Sequence, residues 1–332
     1  MDDIKKIIKD EIWDVAVIIP TLDRHQYLLK TIEYFYKQSV LPKEIVVIDQ
    51  SPIKEINIEK LNDFDQHINL NYFHLDTCSK KCALNWGLRL TKSPIVLIVD
   101  DDVEFDENLV YNHLCALIEH NVDNINGASI KPNGKLLSEP RKPSFWEDGV
   151  FQLTHNRMVD YPCMTLQVNG NNSSFKREIL IKVNGWDENS LIASDDDEMS
   201  MKLFNYGGKM LYDPRPRLYH LKAAKGGWRS IWRKKIFTSF FKRLLESPHP
   251  RYIYYYRKHF STYATICYII LVIVRGPYNY EIKKIRSFIK TPVRILAAII
   301  NWRRTTKMLN VDEHGYAQAT PSKIKKLFST IA

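Results

Sequence analysis

The chain has 332 residues, 45% hydrophobic and 26% charged, a globular composition long enough to bury one large core or two ordinary ones. Its net charge of +10 is unevenly held: residues 1–220 carry 25 Lys and Arg against 34 Asp and Glu, net −9, whereas residues 221–332 carry 23 against 4, net +19. The five cysteines (Cys78, Cys82, Cys115, Cys163, Cys267) are odd in number and irregular in spacing, which argues against a disulfide framework, and no second Cys or His pair completes a zinc site with Cys78 and Cys82.

Taken in chain order, "MDDIKKIIKDEIWD" lacks the apolar core and small-residue cleavage site of a signal peptide, so export is not expected. "DVAVIIPT" (14–21) and "EIVVIDQS" (44–51) are short apolar runs ending in polar turns. Between them Tyr27, Leu28, Ile32, Phe35 and Tyr36 recur at helical intervals, which predicts a βαβ unit. A third strand is expected over "INLNYFHL" (68–75), then a helix over "KKCALNWGLRLTK" and a fourth strand over "IVLIV" (95–99). Such alternation makes an α/β, doubly wound, mostly parallel, Rossmann-like sheet whose ligand crevice lies at the carboxyl ends of its strands.

The fourth strand runs into Asp100, Asp101 and Asp102. Adjacent carboxylates repel one another unless a cation sits among them. A divalent ion with oxygen ligands satisfies that need; a solvated acidic turn avoids it, and these residues alone leave both open. Residues 131–162, with Pro132, Pro140, Pro143 and Pro162, read as loops shaping a substrate pocket. "MTLQVNGNNSSFKREILIKVNGWDEN" predicts a strand, a turn at Gly170 and a helix ending near Gly185. "SDDDEMSMKLFNYGGKMLYD" predicts a helix with an acidic N-terminus, where the dipole tolerates negative charge, closed by Gly207 and Gly208.

"VAVIIPTLDR", "EIVVIDQS", "ALNWGLRLTKSPIVLIVDDDV", "NGWDE" and "SDDDEMSMKLFNYG" occur in the order, and near the spacing, of family 2 of the glycosyltransferases. The chain resembles these inverting, nucleotide-sugar-dependent enzymes of the GT-A fold over about residues 14–222. The resemblance implies that Pro20 and Thr21 sit against the nucleotide base, and that Asp49 accepts a hydrogen bond from its imide N–H. That contact favours a UDP- or dTDP-sugar. Lys80 and Lys81 would approach the diphosphate, or stand as surface lysines. Asp100, Asp101 and Asp102 match the family's Asp-x-Asp motif for Mn²⁺ or Mg²⁺, with Asp102 the direct ligand, Asp100 toward the ribose or a metal-bound water, and His220 completing the shell. Asp196 matches the base that deprotonates the acceptor, Asp195 or Asp197 replacing it if the register slips by one; Asp195 stands where the family usually has Glu. Trp186 and Asp187 match the acceptor side, Trp186 being equally suited to the core.

The resemblance divides the chain into a GT-A catalytic domain over 1–228, with a nucleotide-sugar half (about 14–105) and an acceptor half (about 106–228), and a basic helical region over 229–332. Lys225, Gly226, Gly227 and Arg229 suit a lid over the diphosphate. The Gln-x-x-Arg-Trp motif of polymer-making relatives is absent, so one sugar per encounter is expected, added to a glycan or a polyprenyl-diphosphate-linked acceptor. The apolar run from Tyr263 to Val274 is shorter than the ~20 residues that cross a bilayer. With "PVRILAAIINWRR" and flanking Arg257, Lys258, Arg275, Arg294, Arg303 and Arg304, it suits a helical hairpin in an anionic membrane interface. That gives a cytoplasmic, peripheral location; a helical appendage packed on the domain or on a second subunit is the plainer alternative. Nucleotidyl transfer is disfavoured because "PTLDRHQY" has no glycine-rich phosphate loop, and nucleic-acid binding because apolar runs interleave the basic charge.

Overall fold

The computed structural model describes residues 7–8, 13–53, 58–64, 66–135, 141–145, 151–155, 159–188, 195–223, 226–227, 249–275, 291–310 and 323–330. The first half follows the expected alternation: β1 (Val15–Thr21), α1 (His25–Tyr36), β2 (Glu44–Asp49), β3 (Asn69–Leu75), α2 (Lys80–Leu90) and β4 (Ile95–Val99). β3, β2, β1 and β4 lie side by side in parallel, so their carboxyl ends, including Thr21, Asp49 and Asp100–Asp102, share one edge.

β1 is buried along its whole length because both faces are covered. Val15, Val17 and Ile19 pack with Leu28, Ile32 and Phe35 of α1, while Ile18 turns to the opposite cluster with Leu84 and Leu88 of α2. Each such fully buried aliphatic side chain contributes about 1.5–3 kcal/mol. Gly87 lets α2 sit directly on β1, since a Cβ there would fall 2.4 Å from Ile18 Cγ2.

The second half continues with β5 (Val103–Phe105), α3 (Leu109–His120), β6 (Asn124–Ile130), a separate hairpin of β7 (Arg141–Phe145) and β8 (Phe151–His155), β9 (Cys163–Met164), β10 (Asn172–Lys176), α4 (Arg177–Lys182), α5 (Asp195–Tyr206) and β11 (Met210–His220). The main sheet runs β12-β3-β2-β1-β4-β10-β6-β11-β5, where β12 is Ile324–Ser329, with β9 against β11. β10 enters it antiparallel to both β4 and β6, and β6 pairs in parallel with β11.

Two elements correct the sequence reading. Residues 131–162 hold the β7–β8 hairpin rather than loops alone. "NSSFK" is a central strand although it reads as polar turn: Asn172, Ser173 and Ser174 are fully buried, and their side chains are hydrogen-bonded.

The C-terminal region supplies three mutually packed helices, α6 (Pro250–His259), α7 (Thr262–Arg275) and α8 (Thr291–Leu309). It is not wholly helical. Its last described segment, β12 (Ile324–Ser329), returns to pair antiparallel with β3 and covers that edge of the sheet. Among the described residues no helix is long and apolar enough to cross a membrane.

Candidate active site

β4 ends at Val99 and β5 begins at Val103, so the three acids form the step between two strands that occupy different places in the sheet. The step turns them in different directions. Asp101 is buried; its Oδ2 accepts from Thr21 Oγ1 at 2.7 Å and its Oδ1 from Arg24 Nη1 at 3.1 Å. Burial pushes the Asp101 carboxyl up, against the pull of Arg24 and Thr21.

Asp100 and Asp102 face the end of β11. His220 pairs with Val103 across the β11–β5 ladder, which brings its ring beside the acids: Nε2 is 3.6 Å from Asp100 Oδ2 and Nδ1 is 3.5 Å from Asp102 Oδ2. The Lys222 N–H donates to Nδ1 at 3.0 Å and fixes the ring, and the Ala223 N–H donates to Asp102 Oδ2 at 2.8 Å. Asp102 Oδ1 is buried without a hydrogen bond, 3.0 Å from Arg24 Nη1 in an ion pair off the hydrogen-bond direction. One ligand atom from each of Asp100, Asp102 and His220 lies within 4.8 Å of the others, and this set of two carboxylates and an imidazole fits a divalent cation.

Protein cations already answer part of the repulsion among the acids. Arg24 sits between Asp101 and Asp102, and Lys80 Nζ lies 2.7 Å from Asp100 Oδ1. Arg24 escaped the sequence reading; an arginine three residues past a strand whose neighbour ends in three acids was the available signal. Lys80 also donates to Gly170 O at 3.1 Å. Burial works against its ammonium, but Asp100, Asp195 and Asp196 outweigh that and hold its pKa above the ordinary lysine value. Lys81 is buried and Lys80 half-buried, so neither lysine is a solvated surface residue.

Asp196 stands in the first turn of α5, against Gly170, where an added Cβ would lie 2.1 Å from Asp196 Oδ1. Its pKa is raised to about 7: burial pushes it up, Lys80 pulls it down, and Asp195, Asp197 and Asp100 push it up again. Lys80 thus touches the metal-type cluster on one side and the wall beside Asp196 on the other.

A cavity of about 390 Å³ opens at the ends of β1, β2 and β3, lined among others by Leu22, Gln50, Ser51, His74 and Asp76. Asp49 lies behind it, fully buried. Oδ1 accepts from the Ser51 N–H at 2.7 Å and the Ser51 hydroxyl at 2.5 Å; Oδ2 accepts from the Tyr72 hydroxyl and contacts His25 Nε2 at 2.6 Å. Burial raises the Asp49 pKa, but His25, Ser51 and Tyr72 outweigh it and hold the carboxyl below its ordinary value. Four contacts fill the two oxygens, so a base N–H would have to displace His25 or Tyr72 to reach them. Pro20 and Thr21 are likewise buried in β1, and Thr21 secures Asp101 instead of lining the cavity.

Trp186 and Asp187, matched above to the acceptor side, are both buried. Trp186 packs edge-on to Phe175 in the core at 6.4 Å. Asp187 is buried under α6, bonded by Tyr254 at 2.6 Å and Lys258 at 2.5 Å; Lys258 also reaches Glu198 of α5 at 3.0 Å. Of the expected lid, Lys225 and Arg229 lie outside the described residues. Gly226 and Gly227 both have positive φ and sit on the loop after β1: the Gly227 N–H donates to Leu22 O at 2.8 Å, and a Cβ on Gly226 would fall 2.5 Å from Asp23 O.

The sequence profile of glycosyl transferase family 2 matches residues 16–183. A chondroitin synthase of Pasteurella multocida (strain Pm70) is 25% identical over 241 residues, an alignment covering 61% of this chain and 25% of that protein. The chain therefore spans about a quarter of the length of this curated relative. Among solved structures, GalNAc-T7 with UDP, GalNAc and Mn²⁺ superposes with a TM-score of 0.51 at 16% identity, covering 64% of this chain and 44% of that one. The mannosyltransferase PcManGT of Pyrobaculum calidifontis, with GDP-Man and Mn²⁺, gives 0.51 at 15% identity over 92% of this chain and 84% of that one.

Proposed function

The chain belongs to glycosyl transferase family 2, and from that premise we propose that it is a metal-dependent inverting enzyme that moves one sugar from a UDP- or dTDP-sugar to a hydroxyl of a glycan or lipid-linked glycan precursor. The GT-A glycosyltransferase fold and the Asp-Asp-His cluster are its framework. The single observation that carries the reaction is the meeting, across Lys80, of a cation-suited cluster with a carboxylate whose pKa is about 7.

In this reading Asp102, Asp100 and His220 hold Mn²⁺ or Mg²⁺, which supplies positive charge where the nucleoside diphosphate departs. The base occupies the cavity beside Ser51 and His74, and Asp49, exchanging His25 or Tyr72 for the imide N–H of the base, gives the preference for uridine or thymidine. Lys80 faces the diphosphate. Asp196, ionised, takes the proton of the acceptor hydroxyl; that oxygen bonds to the anomeric carbon as the bond to the diphosphate breaks on the opposite face, and the configuration inverts. Gly226 and Gly227, seated on the loop after β1, belong to the cover over the diphosphate. The acceptor stands at an anionic membrane surface, at which the enzyme is peripheral.

Release of nucleoside diphosphate from a panel of UDP-, dTDP- and GDP-sugars, with Mn²⁺ and with EDTA, tests the proposal. We expect turnover of a uridine or thymidine donor that EDTA abolishes. No release from any donor, or release indifferent to metal, would overturn it.

A further inference from the structure

α8 is built inside out. Its buried residues are Arg294, Ala297, Ala298, Asn301 and Thr305, small or polar and, at 100° per residue, gathered on one side. Ile295, Leu296, Ile299 and Ile300 stand on the other side, each between 43% and 52% exposed. α7 repeats the inversion: Thr265 is fully buried, while Tyr263, Ile266 and Ile270, spaced three and four apart, are 76%, 44% and 55% exposed.

The interior between the helices holds polar groups beside its alanines and the stacked Tyr256 and Tyr268. Arg294 donates to Ile273 O at 3.3 Å, and Arg257 of α6 donates to Trp302 O, Thr305 and Thr306 at 2.7–3.0 Å. A helix pair solvated on its outer face buries its aliphatics and shows its polar groups. The reverse arrangement marks a surface that meets an apolar partner.

Charge identifies the partner. Residues 249–275 and 291–310 contain no Asp or Glu. On α8 the exposed side passes from aliphatic residues into Arg303, Arg304 and Lys307, all exposed. Two copies of this face brought together would oppose cation to cation with no carboxylate between them. A bilayer offers hydrocarbon to the isoleucines and phosphates to the cations one to two turns away.

We infer that α7 and α8 form the docking face of the protein on an anionic lipid bilayer, lying in the interface with the aliphatic side chains among the acyl chains and Arg303, Arg304 and Lys307 at the headgroups. The inference rests on the proposed transfer for its purpose, since it would present a membrane-borne acceptor to the site. Its structural evidence is independent of that reaction.

The test is flotation of the full chain with vesicles of phosphatidylcholine alone or mixed equally with phosphatidylglycerol, beside nucleoside diphosphate release in solution. Flotation with the mixed vesicles only is expected. The exposed-site variants Ile270→Glu and Ile299→Glu should each weaken it about tenfold or more. Replacing Arg303, Arg304 and Lys307 by Ala should remove the preference for phosphatidylglycerol. Failure to float, flotation unchanged in both Glu variants, or a dimer in sedimentation that Ile299→Glu dissociates without any lipid binding, would overturn the inference. Loss of flotation with donor turnover intact leaves the catalytic reading standing, whereas flotation without turnover of any donor is the failure of that reading alone.

Discussion

At neutral pH a carboxylate with a pKa of about 7 is half ionised, which suits a group that must take a proton and give it up again. For Asp196 the sign is fixed by which form works: the ionised base acts, so kcat/KM should fall about tenfold per pH unit below about 7 and level off above it. Asp196→Asn should reduce transfer by about 10³-fold or more and leave donor affinity, measured by calorimetry, nearly unchanged. Loss of donor binding instead would take Asp196 out of the base role. Arg24 is the other decisive residue, since it stands over two buried carboxylates. Arg24→Met should destabilise the fold by about 3–5 kcal/mol, because the acids lose their partner. Added Mn²⁺ should return part of that in a thermal melt; a variant as stable as the parent would show that the acids are balanced elsewhere.

The elements that hold the site are less legible than the residues in it. β4 was readable because "IVLIV" is apolar and β-branched, and the acids then follow at the sheet edge. β10 was not, because Asn172, Ser173 and Ser174 satisfy one another and their neighbours inside the sheet: Asn172 Nδ2 reaches Ala128 O and Pro216 O, and Ser173 Oγ reaches Asn126 Oδ1 and Asn169 O. Such a strand has no hydrophobic period to betray it; only the partners reveal that its polar groups are paired. This network holds the turn that carries Gly170, whose carbonyl accepts from Lys80 and whose missing Cβ leaves room for Asp196 Oδ1. Gly170→Ala would push a methyl into Asp196 Oδ1, so kcat should fall about 10²-fold with little change in melting temperature. An equal loss of stability and activity would show that the substitution disturbs the turn rather than the carboxylate.

Across the whole molecule, two described elements of the C-terminal region, β12 and α6, join it to the rest of the fold. Strand β12 covers the β3 edge, with Thr330 bonded to Ile68 and Leu70. Helix α6 inserts Lys258 and Tyr254 over Asp187, and Lys258 bridges to Glu198 of the helix that carries Asp196. Burial raises the Asp187 pKa, but Lys258 and Tyr254 outweigh it and hold the carboxyl below its usual value. A depressed folded pKa places its stabilisation above the unfolded value of about 4, to be lost as pH falls through the lower folded value. Lys258→Met should therefore cost about 3–5 kcal/mol at pH 7 and progressively less as the pH falls below about 4, read from urea unfolding across that range. A cost that does not change with pH would assign the effect to packing.

The chain's own order of residues determined the βαβ alternation, the sheet edge bearing Asp49 and Asp100–Asp102, the family, and the basic, apolar character of the tail, because periodicity and charge are local and survive in one dimension. Tertiary structure decided which way each acid turns, that Arg24 and Lys80 balance them, that Trp186 and Asp187 are buried, and that α7 and α8 wear their aliphatic faces outward. Those are questions of which surfaces meet, and residues such as Arg24 and Asp101, or Lys258 and Asp187, are joined only when strands and helices distant in sequence close on one another.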